Sequence, residues 1–191
     1  MKKAKYLTKI TDINKIYLEN IINSGDTVVD ATMGNGHDTK YLAEAVGSNG
    51  YVYSFDIQKS AIESTRKLLE KTNLDKNVKL VYDGHENILN YVSEEISCVL
   101  FNLGYLPRAN HDIITKPETT VKALEGSLQL LKPNGVACIA IYTGHTGGLE
   151  ERNAIYTFAK NLSQEEYNVL ECKFLNQINN PPQLIMIEKK K

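Results

Sequence analysis

Residues 27–39, Thr-Val-Val-Asp-Ala-Thr-Met-Gly-Asn-Gly-His-Asp-Thr, constrain the fold more than any other stretch of the chain. Thr27 to Asp30 is β-branched and apolar, which reads as a buried strand ending in a carboxylate. Gly34 and Gly36 follow with G-x-G spacing. Asp38 then reads as the N-cap of an amphipathic helix carrying Tyr41, Leu42, Ala45 and Val46. Strand, glycine turn and helix in this order open a nucleotide-binding α/β unit.

Two cofactors compete for such a turn. A dinucleotide fingerprint needs G-x-G-x-x-G, with the pyrophosphate on the helix N-terminus, and Thr39 occupies the third glycine position here. Asp30 would also sit badly beside a pyrophosphate. A carboxylate there suits a cofactor carrying an ammonium, as S-adenosyl-L-methionine (SAM) does. The pattern D-x-x-x-G-x-G resembles the first motif of Rossmann-like SAM-dependent methyltransferases. A tight βα turn with a capping Asp and no ligand is the alternative.

Composition narrows the class. A chain of 191 residues has one domain as its default, spanning 1–191, with residues 1–25 as a tail and a helix packed on it. The net charge of −1 offers no global basic field for nucleic acid. Cys98, Cys138 and Cys172 fall in expected strands without metal-like spacing, which points to reduced thiols, a cytoplasmic setting and no metal. Met1-Lys2-Lys3 lacks a following apolar run, so neither a signal peptide nor a membrane span is expected.

The rest of the chain alternates strands and helices. Ile13, Ile16, Tyr17 and Ile21 have helical spacing, and Asn23-Ser24-Gly25 ends that helix. Tyr51 to Asp56 reads as a second strand whose terminal acid lies 20 residues beyond Gly36. At a strand tip such an acid can accept both ribose hydroxyls of a nucleoside cofactor, the reading that strand end and spacing favour over a cap for the helix that starts near Lys59. Val78 to Tyr82 is a third strand, ending in Asp83-Gly84-His85; on its own this is a plain turn, and the resemblance to Rossmann-like SAM-dependent methyltransferases implies an adenine neighbour instead. Ile96 to Phe101 is continuously apolar, as a central parallel strand should be. A helix over Thr119–Leu131 stops at Lys132-Pro133-Asn134-Gly135. Val136 to Tyr142 is a fifth strand, a helix follows over about Leu149–Leu162, and Tyr167–Leu175 and Leu184–Glu188 are strands six and seven. The expected architecture is α/β: a Rossmann-like, seven-stranded, mostly parallel sheet with helices on both faces.

Chemistry concentrates in two loops at strand ends. After strand four comes Asn102-Leu103-Gly104-Tyr105-Leu106-Pro107. Methyl transfer needs a lone pair held in line, about 3 Å from the methyl group. An amide oxygen such as that of Asn102 can accept an amine's hydrogens and aim its lone pair. Gly104 permits close backbone approach, and Tyr105 can stack on a base. Arg108, His111 and Lys116 add local positive charge, either as a solvated loop or as phosphate contacts. After strand five, His145 stands in a glycine-rich loop and can accept a proton near neutral pH. Asn180 and Pro181, in the Asn-Asn-Pro-Pro link before strand seven, form either a substrate-side wall or a rigid connection.

Together, residues 30–39, 102–107, 142–148 and 179–182 resemble the YtqB/MnmM family of small bacterial class I methyltransferases, long labelled rRNA methylases. The resemblance covers nearly the whole chain. It implies SAM as cofactor and methylation of the 5-aminomethyl group on the wobble uridine of certain tRNAs, giving 5-methylaminomethyluridine. The implied cofactor residues are Asp30, Met33, Gly34, Asn35, Gly36, His37, Asp38 and Thr39 in the turn, Asp56 and Gln58 after strand two, and Asp83 and His85 after strand three. Asn102, Tyr105 and His145 are the catalytic candidates. Gly104, Arg108, Asn180 and Pro181 are the substrate-side candidates. The implied partner is the tRNA anticodon region. The low net charge requires local lysines to contact phosphate and leaves room for a homodimer that pools them. A methyltransferase acting on rRNA or a small-molecule amine is the competing reading, and a non-enzymatic nucleotide binder or an NAD oxidoreductase is a third.

Overall fold

Val28 and Val29 are fully buried, which places β1 (Thr27–Asp30) inside a sheet covered on both faces. The computed structural model describes residues 4, 5, 7–104 and 114–191. The sheet has seven strands in the order β3-β2-β1-β4-β5-β7-β6. These are β2 (Tyr51–Asp56), β3 (Val78–Tyr82), β4 (Ile96–Asn102), β5 (Leu131–Ile141), β6 (Tyr167–Cys172) and β7 (Gln183–Lys189). β1 to β5 are parallel, and β7 runs antiparallel between β5 and β6. Strand order reverses between β1 and β4, and in such sheets ligands bind beyond the carboxyl ends of the strands at that reversal.

The period of two along each strand builds two separate cores. Val29, Val99, Phe101, Ile139 and Ile141 face one side, where α4 (Pro117–Leu130) and α5 (Gly148–Lys160) bury Leu124 and Ile155. Val28, Cys98, Leu100, Cys138 and Ala140 face the other, under α1 (Ile10–Ile21) and α2 (His37–Val46), which bury Leu18 and Leu42. Each fully buried Leu, Ile or Phe contributes about 1.5–3 kcal/mol. α3 (Lys59–Thr72) joins β2 to β3 and contacts α2. Among the described residues, no helix is long and apolar enough to cross a membrane.

Local differences from the sequence reading have local causes. Gly36, not Asp38, is the N-cap of α2; its φ of 79° is left-handed, and a Cβ there would lie 2.7 Å from Thr65 Oγ1. The turn therefore packs directly onto α3, and Asp38 falls inside the first helical turn. Lys132 to Gly135 does not separate helix from strand. It forms the opening of β5, with Asn134 at a φ of 63°.

Candidate active site

A cavity of about 690 Å³ opens at the carboxyl ends of β1 to β4. The glycine turn forms one wall through Met33, Gly34, Asn35, His37 and Asp38. The β2 and β3 tips add Asp56, Gln58, Asp83 and His85. Asn102, Gly104 and Tyr142 close the opposite side, with Lys9 and Lys116 at its edge.

The turn is tied down from both neighbouring strands. Ala31 N–H donates to the Leu100 carbonyl at 2.8 Å and Met33 N–H to that of Phe55 at 2.9 Å. Asp56 joins turn to helix: Gly34 N–H donates to one carboxylate oxygen at 3.0 Å and Gln58 N–H to the other at 2.9 Å. Each oxygen keeps acceptor capacity for a ligand hydroxyl. Burial raises the Asp56 pKa, against the lowering effect of those N–H groups.

Asp83 is held similarly. Its Oδ1 accepts from Gly84 N–H and Asn87 Nδ2, and its Oδ2 from the Tyr91 hydroxyl at 2.8 Å. The Tyr91 bond is the main reason its pKa is lowered. His85 is buried and donates through Nδ1 to the Ala31 carbonyl at 3.0 Å. A carbonyl only accepts, so Nε2 is the unprotonated nitrogen. Nε2 has no hydrogen-bond partner among the described residues, and burial lowers the histidine's pKa. A neutral, orphaned acceptor on a cavity wall fits a ligand with hydroxyl or amine donors. With the acceptors of Asp56 and Asp83, the donor and acceptor set fits the nucleoside half of SAM.

Asp30 departs from its expected place. It is fully buried behind the turn and is not among the residues lining the cavity. Its carboxyl accepts from Thr32 N–H at 3.1 Å and from the Thr39 hydroxyl at 2.6 Å. Thr39 has spent its proton on Asp30, so the Ser54 hydroxyl donates to Thr39 at 2.6 Å. Asp30 and Thr39 thus brace the turn from inside rather than facing an ammonium, because the Thr39 hydroxyl on α2, itself bonded to Ser54 on β2, holds the carboxyl beneath the helix. Gly36 likewise faces α3 and not the cavity.

This burial has a measurable consequence. Desolvation, helped by the neighbouring Asp38 charge, pushes the Asp30 pKa up to about 7 from 3.8. The folded state holds the proton more tightly than the unfolded chain. Asp30 therefore contributes stability that is complete below about pH 4 and is lost as pH rises to about 7. Urea midpoints of the protein relative to those of Asp30→Asn should fall across that window and run parallel above it. A difference that stays flat from about pH 4 to 7 would show that the carboxyl titrates as in water.

At the β4 tip, Asn102 is fixed twice. Its backbone N–H donates to the Thr32 hydroxyl at 2.7 Å, and its side-chain Nδ2 donates to Asp38 Oδ2 at 2.6 Å. Gly104 pairs with Thr115 in both directions, N–H to hydroxyl at 3.0 Å and carbonyl to N–H at 3.1 Å. Thr115 donates to the buried Glu151 at 2.7 Å, as Thr120 does at 2.6 Å. His145 packs its imidazole between Gly104 and Gly148: Cβ atoms there would stand 3.4 Å and 3.0 Å from its Nε2. Its Nδ1 donates to the Thr146 carbonyl at 3.0 Å.

Tyr105 and Arg108 lie outside the described residues, as does His111. Asn180 and Pro181 are not on the cavity wall. They belong to the β6–β7 link, where Asn179 and Asn180 both have positive φ, and that link meets the sheet at Gln183, paired with Ile141. Lys15, Tyr142 and Glu151 escaped the sequence reading as site residues. Their only sequence signals are a helix face, a strand end and a helix start.

Comparison with known proteins settles the family. The sequence model of the "Putative rRNA methylase" family matches residues 52–188. The chain belongs to the rRNA methylase family. A relative from Arabidopsis thaliana, the chloroplastic tRNA (mnm(5)s(2)U34)-methyltransferase, is 40% identical over 95% of this chain and 70% of its own. The solved "putative rRNA-methylase" from Clostridium thermocellum superposes with a TM-score of 0.94 at 43% identity, covering 96% of this chain and 98% of that one. SMU.1697c, a "putative methyltransferase" from Streptococcus mutans in complex with SAH, has a TM-score of 0.88 at 40% identity, covering 96% and 99%. This rRNA methylase family member has the class I methyltransferase fold, with the family match starting at β2 and running through β7.

Proposed function

We propose that the chain transfers the methyl group of SAM to the 5-aminomethyl group of the tRNA wobble uridine, forming 5-methylaminomethyluridine. The observation that carries this reading is Asn102. Its Nδ2 is committed to Asp38, so its Oδ1 remains to accept hydrogens from an amine in the cavity. The likeness to the Arabidopsis tRNA (mnm(5)s(2)U34)-methyltransferase over 95% of this chain supports the nature of that amine.

Bound SAM supplies an electrophilic methyl group on a sulfonium. Asp56 would accept the ribose hydroxyls and Asp83 the adenine amine, with the turn at Met33 to His37 around the rest. Asn102 orients the amine so that its lone pair points at the methyl carbon, a positioning effect. An aliphatic amine is mostly protonated at neutral pH and must lose a proton before attack. His145, packed against Gly104 beside the cavity, or water entering the cavity can take it. Tyr142 offers a ring on the cavity wall for the uracil.

The tRNA is bound through its anticodon region, with Lys9 and Lys116 beside the cavity as phosphate contacts. A homodimer would pool such contacts in a chain whose net charge is −1. The single seven-stranded sheet supports one catalytic unit over 1–191, and the free cysteines support a reducing, cytoplasmic setting.

The test is transfer of labelled methyl from SAM to tRNA purified from cells lacking this enzyme, followed by nucleoside mass spectrometry. One added methyl on 5-aminomethyluridine is expected, with affinity falling steeply as salt rises. SAM binding without incorporation into tRNA would overturn the tRNA reading in favour of rRNA or a small-molecule amine.

A further inference from the structure

The bond between Asn102 and Asp38 does more than fasten a side chain. A carboxylate offers only acceptors, whereas a primary amide offers donors on nitrogen and an acceptor on oxygen. Asp38 therefore forces one of the two orientations of the Asn102 amide: Nδ2 towards Asp38 at 2.6 Å, Oδ1 away from it. The Asp38 carboxylate is itself anchored. Its other oxygen stands 3.4 Å from Lys15 Nζ, and that ammonium also lies 4.9 Å from the centre of the Tyr41 ring. Backbone and side chain of Asn102 are thus both pinned, the backbone by Thr32.

We propose that Asp38 is a positioning residue for methyl transfer: backed by Lys15, it locks the Asn102 amide so that its oxygen, and not its NH2, meets the acceptor amine. This rests on the amine-methylating reading above. The orientation matters because the two ends of the amide do opposite things to an amine. Oδ1 accepts the amine's N–H and leaves the nitrogen lone pair to attack. A flipped NH2 group would donate to that lone pair and occupy it. Asp38 is therefore assigned to the acceptor side of the cavity rather than to cofactor binding.

Asp38→Asn retains size and shape but offers both a donor and an acceptor to Asn102, so both amide orientations become available. The single-turnover rate with 5-aminomethyluridine tRNA is expected to fall on the order of ten- to a hundredfold. The dissociation constant for SAM should stay within about threefold, because no cofactor contact is removed. Adding Asp38→Asn to Asn102→Ala should change nothing further, since the positioned amide is already gone. The exchange variant, Asp38→Asn with Asn102→Asp, should recover part of the lost rate. There the carboxylate at position 102 accepts an amide proton from position 38 with one oxygen and presents the other to the amine.

A readout that needs no substrate completes the test. The side-chain NH2 resonances of Asn102, identified by their disappearance in Asn102→Ala, should exchange slowly with solvent in the wild type and rapidly in Asp38→Asn. The proposal is overturned if Asp38→Asn slows Asn102→Ala as much as it slows the wild type, if SAM affinity falls as far as turnover, or if the Asn102 amide exchanges equally in both proteins. Failure of the wild type to methylate this tRNA would instead sink the functional reading, while the amide exchange still reports on the lock.

Discussion

Replacing Asn102 by alanine should lower methyl transfer to tRNA on the order of a hundred- to a thousandfold while leaving the affinity for SAM nearly unchanged. The reasoning starts from the strand. β4 buries alternate residues on opposite faces, so Asn102 shares the face of Cys98 and Leu100, the one covered by α1 and α2. At the strand tip that face holds Asp38 and Lys15 instead of a hydrophobic core. The amide is the polar group of β4 that enters the cavity. Removing it takes away the acceptor that orients the amine, and with it the advantage of a pre-aligned attack.

The fold should tolerate the change. The backbone N–H at this position keeps its bond to Thr32, and Asp38 keeps Lys15 and access to water. The structural cost is therefore one hydrogen bond to a charged group, about 1.5–3 kcal/mol at most. Calorimetry of SAM binding beside single-turnover kinetics separates the two effects. If SAM affinity fell with turnover, Asn102 would belong to the cofactor side of the site.

Asp56→Ala should act in the opposite way, weakening SAM binding on the order of a hundredfold while turnover at saturating SAM recovers most of its value. Two losses add. The carboxylate that accepts the ribose hydroxyls disappears, and the N–H groups of Gly34 and Gln58 lose the acceptor that joins turn to helix. Asp56→Asn should be nearly as damaging. An amide has one oxygen, so its NH2 would confront one of those two N–H donors. Titration calorimetry of both variants checks this, and an undiminished affinity in Asp56→Ala would remove the residue from the cofactor site.

The two variants also show where sequence reasoning reaches. Asp56 is legible because its role depends on local signals: an apolar strand, a terminal acid, and spacing from a glycine turn. Asn102 is legible as a polar residue ending an apolar strand. Its partner is not, because Asp38 lies 64 residues away and carries the ordinary signature of a helix cap. Asp30 misleads for a related reason. Its position at a strand end is correctly read, but whether the carboxyl faces the cavity or the space beneath α2 depends on how Thr39 and Ser54 crowd it. Tyr142 and Glu151 carry no local pattern that separates them from other strand-end and helix residues.

The sequence by itself determined the alternation of strands and helices, the class I methyltransferase fold, the glycine turn and the carboxylates at the tips of β2 and β3. Periodicity and turn chemistry are local properties of the chain, and they suffice for all of these but the methyltransferase class, which the resemblance of its motifs implied. The tertiary structure alone decided which polar groups meet: Asp38 with Asn102 and Lys15, Asp30 with Thr39, His145 with Gly104 and Gly148. Those pairings follow from β1 lying beside β4 and from which helix covers which face. That arrangement is selected by burying both faces of one sheet, a property of the whole packed molecule that no segment contains.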